Sequence, residues 1–586
     1  QAVFCSEASE SMLLPLSRFL PCLYLKMPRF FLLLACLPSA VRAHQNSLLA
    51  GEALPGSHSS TASQRLQRNA CFGVASSPLE SLAVLFLAFS HPANGRFALK
   101  QPEGTRARWR PAAMHSSRGP GVRHALGDSS SRRAQQIHAV QNSILKGLPG
   151  SISAADMDVR QREMALVKWL EDNGVYLKST PGWGVPAHPM RVESDTMEDF
   201  ERSGRGLIAR KAIDNGEAII KIPTRCIMTK AKGAKILGKR IISDSLGEYL
   251  SLSMLLIHER SLGPASFWAP YIAILPTAEE VGQTWVWDEA DLQLLNGSNV
   301  VATTVSLRNK LYSDYELLVA TVLEPNRLDK SVFSWEAFKW AMSMLFSRAI
   351  NLRETDELSL VPYADLLNHS PYINCFFKYE PIPFSDERLV ILNSDRPYSA
   401  NDQVLISYGQ KSNAELVLLY GFVVDRNVFD EVEIEVGLME DDPRYEEKAS
   451  FLKMQGLPTK KTFPLVIDRF TEELIQFMRV IHVGQDVRRE LDEFRYNELI
   501  SIENEMSVFL ALKKQCIEVL VSYPETLEED QQLIDSARMF AALPRNARMA
   551  IKLRRNEKRI LQRTIQVCDT RMEALRSGMQ APPQIR

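Results

Sequence analysis

Two tyrosines flank one tight turn in the stretch ISYGQKSNAELVLLYGF, residues 406–422. QVLISY alternates as a strand does and delivers Tyr408 at its end. GQK turns the chain, and Ser412 with Glu415 has the form of a capping box, so a helix is predicted to start there. Leu416 and Tyr420 share a face of that helix, and Gly421 can end it. The construction holds two phenols on either side of a turn, where their hydroxyls could orient a polar reactant. A tyrosine at a strand end also serves as a core edge with its hydroxyl satisfied locally, so both readings stay open.

A second cluster is VPYADLLNHSP (361–371), which sets Asp365, Asn368 and His369 in apolar surroundings, with Pro371 barring a long helix. No second histidine or cysteine pair has zinc spacing, and no GxSxG elbow supports a serine hydrolase. A third is the turn SGRGLIA, where Gly204 and Gly206 permit close backbone approach. It lacks the continuation of a dinucleotide or phosphate loop.

The elements that must position these residues alternate in type. Folding is expected to begin near Asp156, and DVRQREMALVKWLEDNG predicts a helix with Met164, Val167 and Leu170 on its apolar side and Gly174 at its end. GRGLIARKAIDNGEAIIKIP (204–223) predicts two strands joined in a hairpin at DNGE. Residues 228–350 are mostly helical by pattern, and SWEAFKWAMSMLFSRAI places Phe338, Ala341 and Leu345 on one side. RLVILNS and QVLISY return to strand. After Asp430 the pattern is helical again, with a capping box at Thr526 and Glu529. The last helix, NARMAIKLRRNEKRILQRTIQVCDTRMEAL, is basic, which invites a nucleic-acid or membrane reading, but a solvated face is the commoner explanation.

The chain of 586 residues has room for two or three domains, and 45% hydrophobic with 24% charged residues is ordinary for a globular protein. A formal net charge of −1 argues against a chain-wide polyanion binder. The 8 cysteines are scattered with no CxxC pair, which fits isolated thiols better than a zinc site or a disulfide framework. Met27 opens MPRFFLLLACLPSAVRA, with the anatomy of a secretory signal peptide, and residues 1–26 read as sequence ahead of the start. SHSSTASQRLQRNACFGVASS then has transit-peptide composition, and the apolar run at 81–90 is too short for a membrane span. Signal plus transit peptide would suit a plastid wrapped by extra membranes; an unstructured leader with one apolar run is the alternative. The expected organisation is leader and linker over 1–150, an α+β domain over 156–425 with a helical insertion at about 228–345, and a helical domain over 430–586.

GRGLIA, FSRAINL, DLLNHSP and ISYGQKSNAELVLLYGF, in that order, resemble the SET-domain protein-lysine methyltransferases. Within them the resemblance is to the plant Rubisco large-subunit methyltransferase group, over about residues 160–570. It implies a SET-domain β-fold of short strands with a helical insertion, followed by an all-helical substrate-binding domain. It also implies S-adenosyl-L-methionine as cofactor and no metal. The NHS and YGF segments would cross like a knot beside a channel joining the cofactor and lysine pockets. By the same resemblance the backbone at Arg205, Gly206 and Leu207 holds the cofactor, with Ser347 and Arg348, and the backbone of Asn368 and His369 holds the adenine. Tyr408 becomes the central active-site phenol, also at the cofactor. Tyr420 and Tyr379 line the lysine channel, and Asp365, with Arg348, stands near its entrance.

Methyl transfer needs a neutral amine, and lysine titrates near pH ~10.4, so an apolar channel that favours deprotonation suits the chemistry. Leu352 stands where the Rubisco enzymes carry an arginine toward the substrate polypeptide, which weakens Rubisco as target. Ala364 and Ile350 replace the Trp and Asn of a branch that methylates actin histidine, which favours lysine. The expected partner is therefore a lysine-bearing, non-histone protein of the plastid stroma, either the Rubisco large subunit or another, acted on by a monomer without a stable membrane span or nucleic acid. Histidine methylation and a non-catalytic SET-like binding module are the alternatives.

Overall fold

The computed structural model describes residues 154–578, apart from 183–185, 199–200, 353–354, 356, 376, 468, 486–490 and 492–498. The leader and linker expected over 1–150 lie outside the described residues. In the first helix, α1 (Ala154–Asp172), Leu166 and Leu170 are fully buried while Met164 is 71% exposed. The expected face was rotated, because this helix carries apolar residues on more than one side and periodicity cannot choose between them.

Among the described residues the strands form four small sheets, three of them ahead of Asp430. β1 (Met190–Glu198) pairs antiparallel with β2 (Glu201–Ala209), whose other edge takes the first residues of β10 (Gln403–Ile406). β10 then runs parallel to the two-residue β7 (Asn368–His369). In the second sheet β9 (Arg388–Asn393) lies between β3 (Ala218–Pro223) and β8 (Lys378–Pro381). In the third, β6 (Glu357–Leu360) lies between β4 (Met228–Thr229) and β5 (Ile350–Leu352). The expected hairpin is therefore corrected. The Glu217 N–H does close the turn on the Asp214 carbonyl at 3.1 Å, and Gly216 takes φ 81°. The two strands it joins nonetheless diverge into different sheets, and Ile213 bridges to Tyr398. A turn is encoded locally; the strand's partner is not.

Between β4 and β5 the chain is helical: α2 (Lys230–Leu237), α3 (Glu248–Ser261), α4 (Ala269–Ile272), α5 (Ala278–Val281), α6 (Glu289–Gln293), α7 (Val300–Leu318) and α8 (Trp335–Arg348). Ser334 caps α8 by accepting from the Ala337 N–H, and Phe338, Ala341 and Leu345 are buried on the face read from the pattern. After β10 comes the short α9 (Asn413–Leu419).

The C-terminal domain is mainly helical but not wholly so. It opens on an antiparallel sheet of β11 (Glu431–Gly437), β12 (Lys460–Val466) and β13 (Arg469–Phe470). The alternation of Val432, Ile434 and Val436, all buried, carries that strand signal. The helices are α10 (Tyr445–Met454), α11 (Glu472–Ile481), α12 (Ile502–Ser522), α13 (Leu527–Asp535), α14 (Ala537–Ala542) and α15 (Arg545–Arg576). The expected solvated face of α15 is also corrected. Lys558 and Arg554 pair with the fully buried Asp530 at 2.8 and 2.9 Å, and Arg555 and Lys552 pair with Asp425 at 2.9 and 3.6 Å. Charges buried this deeply persist only when partnered.

One core fills the N-terminal part of the fold and another the C-terminal domain. A third joins them: Trp287, Leu292, Leu295 and Val300 of the insertion region meet Val417 of α9 and Met549, Ala550 and Leu553 of α15. Among the described residues no helix is long and apolar enough to cross a membrane.

Candidate active site

The site grows from the parallel pairing of β10 with β7, in which Leu405 faces Asn368 and Ile406 faces His369. That register brings Tyr408, just beyond the end of β10, beside His369. The Tyr408 N–H donates to His369 Nδ1 at 3.0 Å, and the two rings stack at 5.0 Å and 25°. The Tyr408 hydroxyl donates to the Leu367 carbonyl at 2.8 Å.

Tyr420 reaches the same place from α9. Ser412 and Glu415 close a reciprocal capping box, and the N–H groups of Tyr420 and Gly421 both donate to the Leu416 carbonyl at 2.9 Å. Gly421 takes φ 73°, the left-handed end that glycine favours. Tyr420 then stacks on Tyr408 at 5.0 Å and 22°. Phe422 closes the group, its centroid 6.1 Å from His369, 6.3 Å from Tyr408 and 6.2 Å from Tyr420. Phe422 was quoted in the sequence but given no role; an aromatic two residues past a positioned tyrosine was the signal.

Burial governs the charge states here. It pushes the His369 imidazole down to about 4, so the ring is neutral near pH 7. Because Nδ1 accepts, the proton sits on Nε2, which is buried without a hydrogen-bond partner among the described residues. Burial raises the Tyr420 hydroxyl far above the ordinary phenol range, with Tyr249 and Tyr408 adding to the effect.

A second group is built around Asp365, whose side chain is 0% exposed. The Tyr271 hydroxyl donates to its Oδ2 at 2.7 Å, and Arg348 Nη1 donates to its carbonyl at 3.0 Å and to Oδ2 at 3.4 Å. Arg205 Nη2 donates to the Ile274 carbonyl at 2.6 Å, with Glu163 3.9 Å from Nη1. Burial pushes the Asp365 carboxyl up, opposed first by Arg348. Burial lowers Arg205, and the like charge of Arg348 lowers it further. Tyr271 was missed, since nothing local in α4 marks a residue that meets its partner 94 positions away. Just before this segment the buried Tyr363 takes φ 75°, a strained conformation for an aromatic residue.

The remaining residues are placed differently. Asn368 Nδ2 donates to Gln403 Oε1 at 2.8 Å and to Thr196 Oγ1 at 3.2 Å, tying β7 to β10 and β1. A Cβ on Gly206 would stand 2.7 Å from that Asn368 nitrogen, so Asn368 already occupies the space left by the missing side chain. Leu207 is fully buried in the core. The Ser347 hydroxyl turns back to the Ser343 carbonyl at 2.8 Å. Tyr379 stands on β8, opposite Val390 in the second sheet, with Arg388 6.0 Å over its ring. The structure thus brings together Tyr408, Tyr420 and His369, and separately Arg205, Arg348 and Asp365. The short segment 365–369 joins the two groups.

Among the described residues, Nε of Arg205, Nε of Arg348, Oδ1 of Asp365 and Nε2 of His369 are all buried without a hydrogen-bond partner. Orphaned donors of positive charge beside an orphaned carboxylate oxygen fit a polar ligand carrying both charges. Among the described residues no cluster of three or more His, Cys, Asp or Glu is placed to hold a metal. The stacked phenol rings and a neutral imidazole offer orientation and an apolar wall rather than strong acid or base.

Residues 204–409 match the SET domain family, and residues 439–561 match the Rubisco LSMT substrate-binding family. These matches support a SET-domain, Rubisco LSMT-like protein. The chloroplastic [fructose-bisphosphate aldolase]-lysine N-methyltransferase of Arabidopsis thaliana is 29% identical over 72% of this chain and 86% of its own. The chloroplastic Rubisco large-subunit N-methyltransferase of Pisum sativum is 29% identical over 67% and 79%. Actin-histidine N-methyltransferase of Canis lupus familiaris is 28% identical over 71% and 70%. A solved structure of Rubisco LSMT bound to sinefungin and monomethyllysine superposes with TM-score 0.58 at 27% identity, covering 72% of this chain and 95% of that one.

Proposed function

We propose that this chain is an S-adenosylmethionine-dependent protein-lysine N-methyltransferase acting on a non-histone plastid protein. The observation that carries the reading is the stack of His369, Tyr408 and Tyr420 joined through residues 365–369 to the buried Arg348–Asp365 pair. The backbone at Arg205–Leu207, the Arg348 guanidinium and the Asn368–His369 backbone would hold the cofactor, and Ser347, bonded to its own helix, would shape the wall. When bound, S-adenosylmethionine supplies an electrophilic methyl group on a sulfonium. The rings of Tyr408, Tyr420 and Phe422 exclude water from the acceptor amine, which favours its neutral form. The Tyr408 and Tyr420 hydroxyls orient it, and fixed alignment supplies much of the acceleration. Tyr379 would belong to the acceptor side, while Asp365, bonded to Tyr271 and Arg348, would hold the Arg348 guanidinium between the two pockets.

Two residues support the choice of target. Leu352, where Rubisco enzymes carry an arginine, is an apolar residue 1% exposed inside the core, which supports a target other than Rubisco. Ile350 has no group to hydrogen-bond an imidazole, which favours lysine over histidine. Relatives named as chloroplastic support a plastid site of action. The stromal address would be the signal-plus-transit leader, removed near residue 150, and the enzyme would work as a monomer. N-terminal sequencing of the native protein should begin near residue 150; an N-terminus near Met27 would refute that.

Labelled methyl transfer into a plastid extract, with mass spectrometry of the modified peptide, tests the activity. Label on a lysine supports it. Label on a histidine places the chain with the actin-histidine enzymes, and absence of cofactor binding by calorimetry leaves only a binding module.

A further inference from the structure

Tyr420 is gripped at both of its chain neighbours. The Leu419 carbonyl accepts from the amide of Gln283, a fully buried residue. Gln283 Nε2 also donates to the Ser343 carbonyl at 3.2 Å, and Ser343 Oγ donates back to its Oε1 at 2.6 Å. On the other side, the Gly421 carbonyl accepts from Arg545 Nη2 at 2.9 Å. The same guanidinium donates to the carbonyls of Glu280 at 2.6 Å and Val281 at 3.0 Å.

Arg545 is the first residue of α15, so this second grip comes from the C-terminal domain. Among the described residues no carboxylate pairs with it; its hydrogen bonds go to backbone carbonyls of α5 and of the turn after α9. The approach leaves no room for side chains. A Cβ on Gly421 would stand 2.1 Å from the Val281 carbonyl oxygen, and one on Gly282 (φ 76°) would stand 2.6 Å from Arg545 Nη1. A planar fork holding three carbonyls fixes backbone in a way a point charge cannot.

We infer that Arg545 is a positioning residue for the Tyr420–Gly421–Phe422 wall, through which the C-terminal domain sets the geometry that the acceptor lysine meets. The inference rests on the methyltransferase reading above, in which that wall lines the acceptor channel.

The test is calorimetric titration of the full chain with S-adenosylhomocysteine, then with free L-lysine in its presence, beside a thermal melt. Arg545→Ala should bind S-adenosylhomocysteine as the wild type does and free lysine about fivefold more weakly or worse. Arg545→Lys, which keeps the charge without the fork, should fall between them. A purely structural role would lower the melting temperature and reduce the bound fraction of both ligands alike, which overturns the inference. So does equal lysine affinity in wild type and Arg545→Ala. If Arg545→Ala does not fold, Arg545→Lys decides by the same criterion: selective loss of lysine affinity supports the inference and unchanged affinity overturns it. A wild-type chain that binds neither ligand overturns the methyltransferase reading itself, and this inference with it.

Discussion

The ring of Tyr420 lies 5.0 Å from that of Tyr408 with 22° between their planes, yet only Tyr408 has its hydroxyl tied to a backbone carbonyl among the described residues. The two phenols are therefore not equivalent, and removing each hydroxyl should have a different result.

Tyr408→Phe takes the donor away from the Leu367 carbonyl, at a cost to stability of about 1 kcal/mol. It should also lower kcat with little change in S-adenosylhomocysteine affinity, the signature of an interaction made mainly in the transition state. Single-turnover kinetics beside a thermal melt checks both parts; wild-type turnover in the variant would sink the catalytic assignment.

Tyr420→Phe removes a hydroxyl that no described residue holds, so the melting temperature should stay within the wild-type range. The expected effect is on acceptor binding or on the number of methyl groups added, because room and polarity in the channel change. Mass spectrometry of the product ladder reads this directly.

Arg348→Ala should weaken S-adenosylhomocysteine binding about tenfold or more, since a charge-assisted contact is lost. It also strips the fully buried Asp365 of its nearest cation, so the melting temperature should fall as well. Titration of the folded fraction separates the two effects, and unchanged affinity there would move the cofactor carboxylate elsewhere.

Glu431 predicts a pH dependence. It faces Glu415 and Glu433 around a cavity of about 100 Å³ between α7, α9 and β11, with Glu557 of α15 also in the lining. Burial and then the like charges of Glu415, Glu433 and Asp430 push the Glu431 carboxyl up to about 7. A carboxyl raised in the folded state binds a proton on folding, so its favourable contribution is complete below about pH 4 and is lost as pH rises through about 7. Wild type and Glu431→Gln should melt at similar temperatures near pH 5, with the variant more stable at pH 8. Parallel melting curves across that window would refute this.

What the sequence made legible was local. The capping boxes at Ser412 and Thr526 and the buried face of α8 each depend on residues within a few positions, and each is present. Partners distant along the chain were not legible. The turn at Asp214–Glu217 formed, but β3 found β9 rather than β2. Asp365 and Arg348 were named, while Tyr271, which completes their bonding, was not. Reading α15 as a solvated face failed for the same reason: Asp425 and Asp530, which neutralise its cations, lie on other elements. Family resemblance supplied the roles proposed for Tyr408 and Tyr420, which spacing alone left open.

The shared core of Trp287, Leu292, Val417, Met549 and Leu553 has a consequence for retargeting by protein engineering. A chimera that borrowed the C-terminal domain of a relative would bring a foreign α15 against this insertion and against α9. The graft junction would then fall across packing that leads straight to Tyr420. Exchanging target preference calls either for moving residues 278–300 and 413–423 along with the graft, or for keeping residues 545–558 native and varying only the outer surface. Here specificity and turnover would have to be bred together.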